Sequence, residues 1–434
     1  MVAVEVVSLD VPPTRASRRT LAGLGTLGLL SFATYTNGAD FLLLYLPPST
    51  LLLALWLLQI LVMLALAIIA ACGEQLAVLP RVASATVAVV TAICATLALP
   101  VLAPSPTAAS IVLCLLCSIM GAGNGVLQAT SAGVAGASGP ELLTAQATGV
   151  GIANLLMSIF RVAFKLALPG EIVLSYRWFV VAAALVSFGI VVHYVSVAKS
   201  DPHMKAVLRR RSERAAADFA ARGATNPPRS RPSCDGATMS SCGEPPAAAA
   251  AKQESLWATA RGTGHYGVGQ TMALAVALTV FPGVAFEQTS TLGLTDGWLP
   301  VLAVTVFNVF DFGMRVATAV FPCIARPSAA KHLALEMANL AAAAGVVYTA
   351  TRGLPDYVSL ACHAALATTS GWMINVCFVG ADGRVASRVR DGLAPASARE
   401  RTGTVMQGLI LAGVVVGLSL STAISSAGGF SRAA

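Results

Sequence analysis

Eleven apolar runs, each long enough to cross a lipid bilayer, dominate this 434-residue sequence. Crossing about 30 Å of hydrocarbon at 1.5 Å per residue takes about 20 residues. Only 11% of the residues are charged, against about 25% in ordinary soluble domains, which argues against a soluble enzyme. The sequence therefore predicts an all-α polytopic membrane protein with spans at roughly 20–46, 50–72, 82–103, 108–135, 142–168, 173–198, 266–291, 298–323, 333–351, 357–381 and 403–427.

A polar, basic segment at 199–265 separates the first six runs from the last five. It contains RRRSER and NPPRSRPS, and it is too polar and too rich in helix breakers to bury a core. We therefore expect a largely disordered cytosolic loop, with a basic amphipathic start followed by a disordered linker. The remaining chain divides into a cytosolic tail at 1–19, a six-helix bundle at 20–198 and a five-helix bundle at 266–434. This division is typical of transporters built from two helical bundles.

The positions of the basic residues predict the orientation in the membrane. If residues 1–19 are cytosolic, 22 of the 28 lysines and arginines lie in segments on the cytosolic side and two lie outside. Cytosolic loops carry such an excess, so we expect a cytosolic N-terminus and an extracellular C-terminus in the plasma membrane. The net charge of +8 is thus explained by topology, and no nucleic-acid partner is expected.

Motifs for enzymatic chemistry are missing from the sequence. It has no phosphate-binding loop, no H-E-x-x-H and no G-x-S-x-G, and its five histidines do not cluster. We therefore expect neither an enzyme nor a cofactor or metal site.

Polar residues inside the predicted spans are the best indicators of function. A charged side chain at the centre of a span costs about 2.5–3.5 kcal/mol on insertion scales, so it usually faces a cavity or a partner. The eighth span holds Asp311 and Arg315, which share one helix face, and Asn308 lies one turn earlier. The pair predicts a binding site; the alternative is that it neutralises itself and joins two helices.

The fourth span carries a second polar pair, Asn124 and Gln128, among small residues that permit close helix approach. A glutamine amide both donates and accepts hydrogen bonds, which suits a heterocyclic base or a sugar hydroxyl. An interhelical hydrogen bond explains the spacing equally well.

Coupling to protons would require a carboxylate that changes its protonation state near the cavity. The candidates are Asp40, Glu287 and Asp311, and Lys165 in the fifth span, which also holds Arg161, is a candidate partner. The alternative for Asp40 and Glu287 is a position at the external headgroup level.

Four segments resemble equilibrative nucleoside transporters. FNVFDFGMR at 307–315 is similar to the F-N-x-x-D-x-x-G-R signature of their eighth helix, although Met314 replaces the glycine before the arginine. GAGNGVLQATSAGVAG, TAQATGVGIANLL and RTGTVMQGLILAGVVVGLSLS are similar to their fourth, fifth and last helices. The first helix departs from the Pro-Trp-Asn motif, since Ser31, Phe32 and Ala33 stand there.

The resemblance implies a major-facilitator-like 6+5 bundle that moves nucleosides or nucleobases by alternating access. It implies that Gln128 contacts the base, that Asp311 and Arg315 bind ribose hydroxyls or base edges, and that Phe32 is a stacking or wall residue. Asn124 and Asn308 complete the predicted substrate-binding set. We expect a monomer, either facilitative or proton-coupled. A transporter of another small polar solute and a non-transporting receptor or assembly protein remain the alternatives.

Overall fold

A computed structural model of the chain describes residues 12–72, 78–102, 105–138, 140–209, 212–213, 256–325, 328–392 and 396–427. Within these residues eleven long helices follow one another: α1 Arg15–Asn37, α2 Pro48–Cys72, α3 Val78–Ala95, α4 Pro106–Ser138, α5 Pro140–Ala167, α6 Ile172–Ser200, α7 His265–Val280, α8 Trp298–Val320, α9 Ala329–Arg352, α10 Asp356–Arg390 and α11 Ala396–Ser426. Their order matches the predicted spans.

Ten of these helices are long and apolar enough to cross a membrane, and α1 is the exception among the described residues. The first predicted span is divided at Gly38, after which a short helix covers Ala39–Leu42. Sixteen of the 23 residues of α1 are buried, many of them glycine, serine or threonine. Because α1 is surrounded by protein rather than lipid, it does not need the strongly apolar composition of the other ten.

The N-terminal bundle, α1 to α6, is built around close contact between α1 and α5. A Cβ on Gly149 would lie 1.9 Å from the carbonyl oxygen of Ala22, and one on Gly25 would lie 2.1 Å from that of Gln146. Only glycine permits this approach at either position, as small residues generally do between membrane helices.

The C-terminal bundle consists of α7 to α11, with α7 packed against α9, α10 and α11. Helical structure extends into two segments that were predicted as loops. Helix Leu256–Thr263 packs against α10 and α11 at the end of the predicted 199–265 loop, and residues 202–209 are helical at its start. Residues 214–255 lie outside the described part of the chain. Helix α10 likewise continues to Arg390, beyond the predicted end of its span.

The two bundles meet along two seams, one formed by α2 and α4 against α11 and the other by α5 against α8. In contrast, α3, α6 and α9 make their main contacts within their own bundle. The outer face of α6 exposes Leu185, Phe188 and Val192, which suits contact with lipid chains. This arrangement leaves the polar residues of α4, α5, α8 and α11 at the centre.

Candidate functional site

A cavity lies between the two bundles, with an empty volume of about 930 Å³ that includes the solvent at its opening. Its lining comes from α1, α2, α4, α5, α7, α8, α10 and α11 and from Phe281, directly after α7. Most of the lining is apolar or aromatic, as in ligand pockets generally. The polar lining residues are Thr36, Gln59, Gln128, Asn154, Asn308, Asp311, Arg315, Ser370 and Gln407.

The predicted ion pair of α8 forms and lines this cavity. Arg315 Nε lies 2.8 Å from Asp311 Oδ2, and Nη2 lies 3.2 Å from Oδ1, so the contact is bidentate. Helix α10 fixes the pair: Asn375 Nδ2 donates to the Arg315 carbonyl at 2.8 Å, and a Cβ on Gly371 would lie 2.5 Å from the Asp311 carbonyl oxygen. The pair brings no net charge into the cavity.

Asn308 connects the bundles. Its Nδ2 donates to Ser158 Oγ on α5 at 2.8 Å, and Ser158 Oγ donates to Asn37 Oδ1 on α1 at 2.6 Å. Asn37 Nδ2 in turn donates to the carbonyl of Ala33 at 2.7 Å. This chain of hydrogen bonds joins the cavity face of α8 to α5 and α1.

Gln128 is held by partners in both bundles. Its Nε2 donates to the Gly28 carbonyl of α1 at 2.8 Å, and its Oε1 accepts from Gln407 Nε2 of α11 at 2.8 Å. We did not predict Gln407 as a site residue. Gln407 is the single amide in the last predicted span, and this is the signal that would have identified it.

Phe32 and Asn124 have different positions relative to the cavity. Phe32 lines it, whereas Asn124 does not and instead donates to Ser31 Oγ on α1. Asn124 and Gln128 therefore each bond to α1, four residues apart on α4. Asn124 thus forms an interhelical hydrogen bond, which was the alternative to substrate binding.

Three buried charged residues, Asp40, Arg161 and Lys165, form a second group that we call the Asp40 cluster. Arg161 contacts Asp40 with Nε at 2.9 Å and Nη2 at 2.5 Å, and Lys165 Nζ lies 2.6 Å from Asp40 Oδ2. Asp40 is therefore buried between two cations, and Lys165 is one of its two partners. One carboxylate facing two cations leaves one excess positive charge.

The Asp40 cluster touches the other bundle but does not line the cavity. Lys165 Nζ donates to the carbonyl of Asp296, just before α8, and lies 5.3 Å from the centre of the Trp298 ring. Gly297 completes this contact with φ of 67°, and a Cβ there would lie 2.8 Å from Asp40 Cβ. The remaining coupling candidate, Glu287, also lies outside the cavity lining and accepts a hydrogen bond from Ser425 Oγ of α11.

Among the described residues, no three His, Cys, Asp or Glu side chains come together as a metal site would require. The cavity instead offers amide donors and acceptors, an internally neutralised ion pair and aromatic walls. Phe281 and Phe307 stack with ring centres 4.0 Å apart and planes 2° from parallel. These groups suit a neutral, polar solute with a flat face.

Comparison with known sequences gives a short match to a transporter. No family model matches the chain. A stretch of 66 residues is 36% identical to Equilibrative nucleotide transporter 1 of Arabidopsis thaliana, and it covers 15% of this chain and 14% of that protein. This match supports the resemblance that the motifs indicated.

Comparison with solved structures identifies the fold. The chain is similar to the major facilitator superfamily proton:xylose symporter XylE bound to 6-bromo-6-deoxy-D-glucose, with a TM-score of 0.57, 13% identity and coverage of 95% of this chain and 88% of that one. A POT family transporter in complex with 5-aminolevulinic acid gives a TM-score of 0.54, 11% identity and coverage of 95% and 92%. The chain is thus a multi-pass membrane protein with the two-bundle fold of these transporters.

Proposed function

We propose that the protein carries nucleosides or nucleobases across the membrane by alternating access, with the cavity between its bundles as the substrate site. The observation that carries the proposal is the Asp311–Arg315 pair, which lines the cavity and lies in the segment that resembles the nucleoside-transporter signature. The transporter fold and the short match to a nucleotide transporter support the proposal.

The paired charges match a neutral substrate. Asp311 accepts hydrogen bonds from ribose hydroxyls or base N–H groups, and Arg315 donates to base or ribose oxygens. Their mutual contact removes the need for a charged solute, because the site has no net charge to compensate. Asn308 supplies a further amide beside the pair and Phe32 an aromatic wall, whereas Asn124 positions α1 through Ser31.

Gln128 contacts the base only after its bond to Gln407 opens, since both ends of its amide are occupied here. Separation of α4 from α11 would break that bond and free the Gln128 oxygen. In an alternating-access cycle the two bundles move apart on one side at a time, so Gln128 would become available in one phase of the cycle.

We further propose that the Asp40 cluster lies on the extracellular side and closes the cavity there through the Lys165 contact with Asp296. The predicted orientation supports this assignment, because α1 ends and α8 begins at that side. The cavity lining does not include Asp40, Lys165 or Glu287. A proton bound by one of these residues would therefore affect closure of the cavity rather than contact with the substrate. Uptake measured at two external pH values, with and without a protonophore, distinguishes proton-coupled from facilitative transport.

Uptake by cells that lack nucleoside and nucleobase transport tests the proposed function. Cells expressing the full chain at the plasma membrane should take up labelled adenosine, inosine or hypoxanthine, and unlabelled nucleosides should compete. The proposal fails if cells with verified surface expression take up no nucleoside and no nucleobase. Uptake of D-xylose instead would favour the alternative of another small polar solute.

A further inference from the structure

Gln59 is a buried polar residue on α2 that the proposed mechanism does not use. It lies near the middle of the helix in the run LALWLLQILVMLAL, where it is the single amide. The residue is only 2% exposed, and it lines the central cavity. A glutamine at this depth in an otherwise apolar membrane helix is costly unless its amide has partners.

The amide of Gln59 has no such partner. Its Oε1 is buried and accepts no hydrogen bond, and no hydrogen bond joins its side chain to the described part of the chain. The other two cavity glutamines differ, because Gln128 and Gln407 are bonded to each other. Buried polar groups are almost always paired, so an unpaired amide on a cavity wall needs an explanation.

Helix packing does not explain Gln59. Helix α2 contacts α4 through the backbone of Leu58 and Val62, against which Gly121 and Gly125 lie. It contacts α11 through Trp56, whose Nε1 donates to Ser419 Oγ at 2.7 Å. None of these contacts involves the side chain of Gln59, which lies on the cavity wall.

We infer that Gln59 is a substrate-binding residue that selects solutes with adjacent hydrogen-bond donor and acceptor groups on one edge. A carboxamide pairs with such an edge by accepting one hydrogen bond at Oε1 and donating another from Nε2. The 6-position edges of adenosine and inosine both have this pattern. The solute class rests on the proposed function, whereas the unpaired amide and its position do not.

The inference predicts discrimination as well as affinity. A site that hydrogen-bonds a substrate rejects an analogue lacking the matching group, because its own buried polar atoms are then left unpaired. Purine riboside keeps the ring nitrogen acceptor of adenosine but lacks the donor of the 6-amino group. The protein should therefore prefer adenosine to purine riboside, and Gln59 should account for much of that preference.

Uptake kinetics of Gln59→Leu and Gln270→Leu test the inference in the full chain expressed at the cell surface. Gln270 of α7 is a matched control, because it is fully buried, neither of its amide atoms has a hydrogen-bond partner, and it lies outside the cavity lining. Both changes replace an amide by an apolar group of similar size, so both proteins should reach the surface. We expect Gln59→Leu to raise the KM for adenosine about tenfold, the loss typical of one hydrogen bond, and to reduce the preference over purine riboside. Gln270→Leu should leave both unchanged.

The outcomes separate this inference from the proposed function. If the wild-type protein takes up no nucleoside or nucleobase, the proposed function fails and the substrate class inferred for Gln59 fails with it. If wild-type uptake is normal and Gln59→Leu keeps the wild-type KM and preference, only the inference about Gln59 fails. An equal change in Gln270→Leu would also overturn it, because the effect would then come from buried amides in general.

Discussion

The protein buries two groups of charged residues, and they differ in composition and position. Asp311 and Arg315 balance each other on one helix and line the cavity, whereas the Asp40 cluster combines one carboxylate with two cations and lies outside the lining. The first pair belongs to α8 alone, while the second group joins the short helix Ala39–Leu42 to α5 and to the residues where α8 begins. The comparison indicates that the neutral Asp311–Arg315 pair is suited to bind a solute. The Asp40 cluster, which has one cation more than carboxylates, is suited to hold the bundles together.

Removing one member of the cavity pair should have the largest effect on transport. We expect Asp311→Ala to reduce nucleoside uptake at least a hundredfold, because it removes a substrate contact and leaves Arg315 buried without its partner. Losing one partner of a buried pair costs about 3–5 kcal/mol, so misfolding must be separated from loss of binding. The double variant Asp311→Ala with Arg315→Ala leaves no stranded charge and should regain surface expression without regaining uptake. Restored uptake in the double variant would assign the pair a structural role only.

Removing the shared carboxylate of the Asp40 cluster should mainly reduce folding. Asp40→Asn leaves Arg161 and Lys165 facing a neutral amide in a buried site, so we expect a severe loss of surface protein, measured by surface biotinylation. Arg18→Ala is the control, because Arg18 and Glu141 form an ion pair with side chains 52% and 60% exposed. Exposed pairs contribute about 0–1 kcal/mol, and this variant should be indistinguishable from wild type. Normal surface levels of Asp40→Asn would contradict a stabilising role for the cluster.

Removing the charge of Lys165 should weaken closure without unfolding the protein. Lys165→Met keeps the side-chain length but loses the bonds to Asp40 and to the Asp296 carbonyl, and Asp40 keeps Arg161. We expect uptake to fall several-fold, and a cysteine placed at Phe32 should react faster with an impermeant thiol reagent applied from outside. The exposed Lys199 at the end of α6 supplies the control Lys199→Met, which should change neither rate. If Lys165→Met does not change the labelling rate, the proposal that Lys165 helps to close the cavity on the extracellular side fails.

The smallest effect should follow loss of a neutral contact between the bundles. Gln407→Leu removes the hydrogen bond to Gln128 Oε1 without leaving a charge unpaired. A net hydrogen bond contributes about 0.5–1.5 kcal/mol, so we expect uptake to change by less than about tenfold. Initial rates corrected for surface protein measure the change. A loss as large as that of Asp311→Ala would make Gln407 a principal substrate contact instead.

Local sequence patterns predicted most of the fold. Runs of about 20 apolar residues located ten helices, and a separation of four residues on one helix predicted the contact of Asp311 with Arg315. The sequence did not predict that α1 is enclosed by other helices. Its many small polar residues reflect burial in protein rather than contact with lipid. The helix at Leu256–Thr263 was missed because its short sequence lies beside a strongly polar segment.

Contacts between helices could not be predicted in the same way. Which helices face each other depends on packing, so the bonds from Asn308 to Ser158 and from Gln128 to Gln407 have no counterpart in residue spacing. The sequence indicated Lys165 as a partner for a carboxylate but did not choose among Asp40, Glu287 and Asp311. Gln59 could have been identified as a candidate site residue from the sequence, because it is the single amide in its span.

Solute counterflow in liposomes tests the central claim most directly, because it requires a substrate site that opens alternately to both sides. Purified protein is reconstituted, the vesicles are loaded with unlabelled inosine, and entry of labelled inosine is followed over time. We predict transient accumulation above equilibrium for the wild-type protein and background entry for the Asp311→Ala, Arg315→Ala double variant. No accumulation by correctly folded wild-type protein, or equal accumulation by the double variant, would contradict the account.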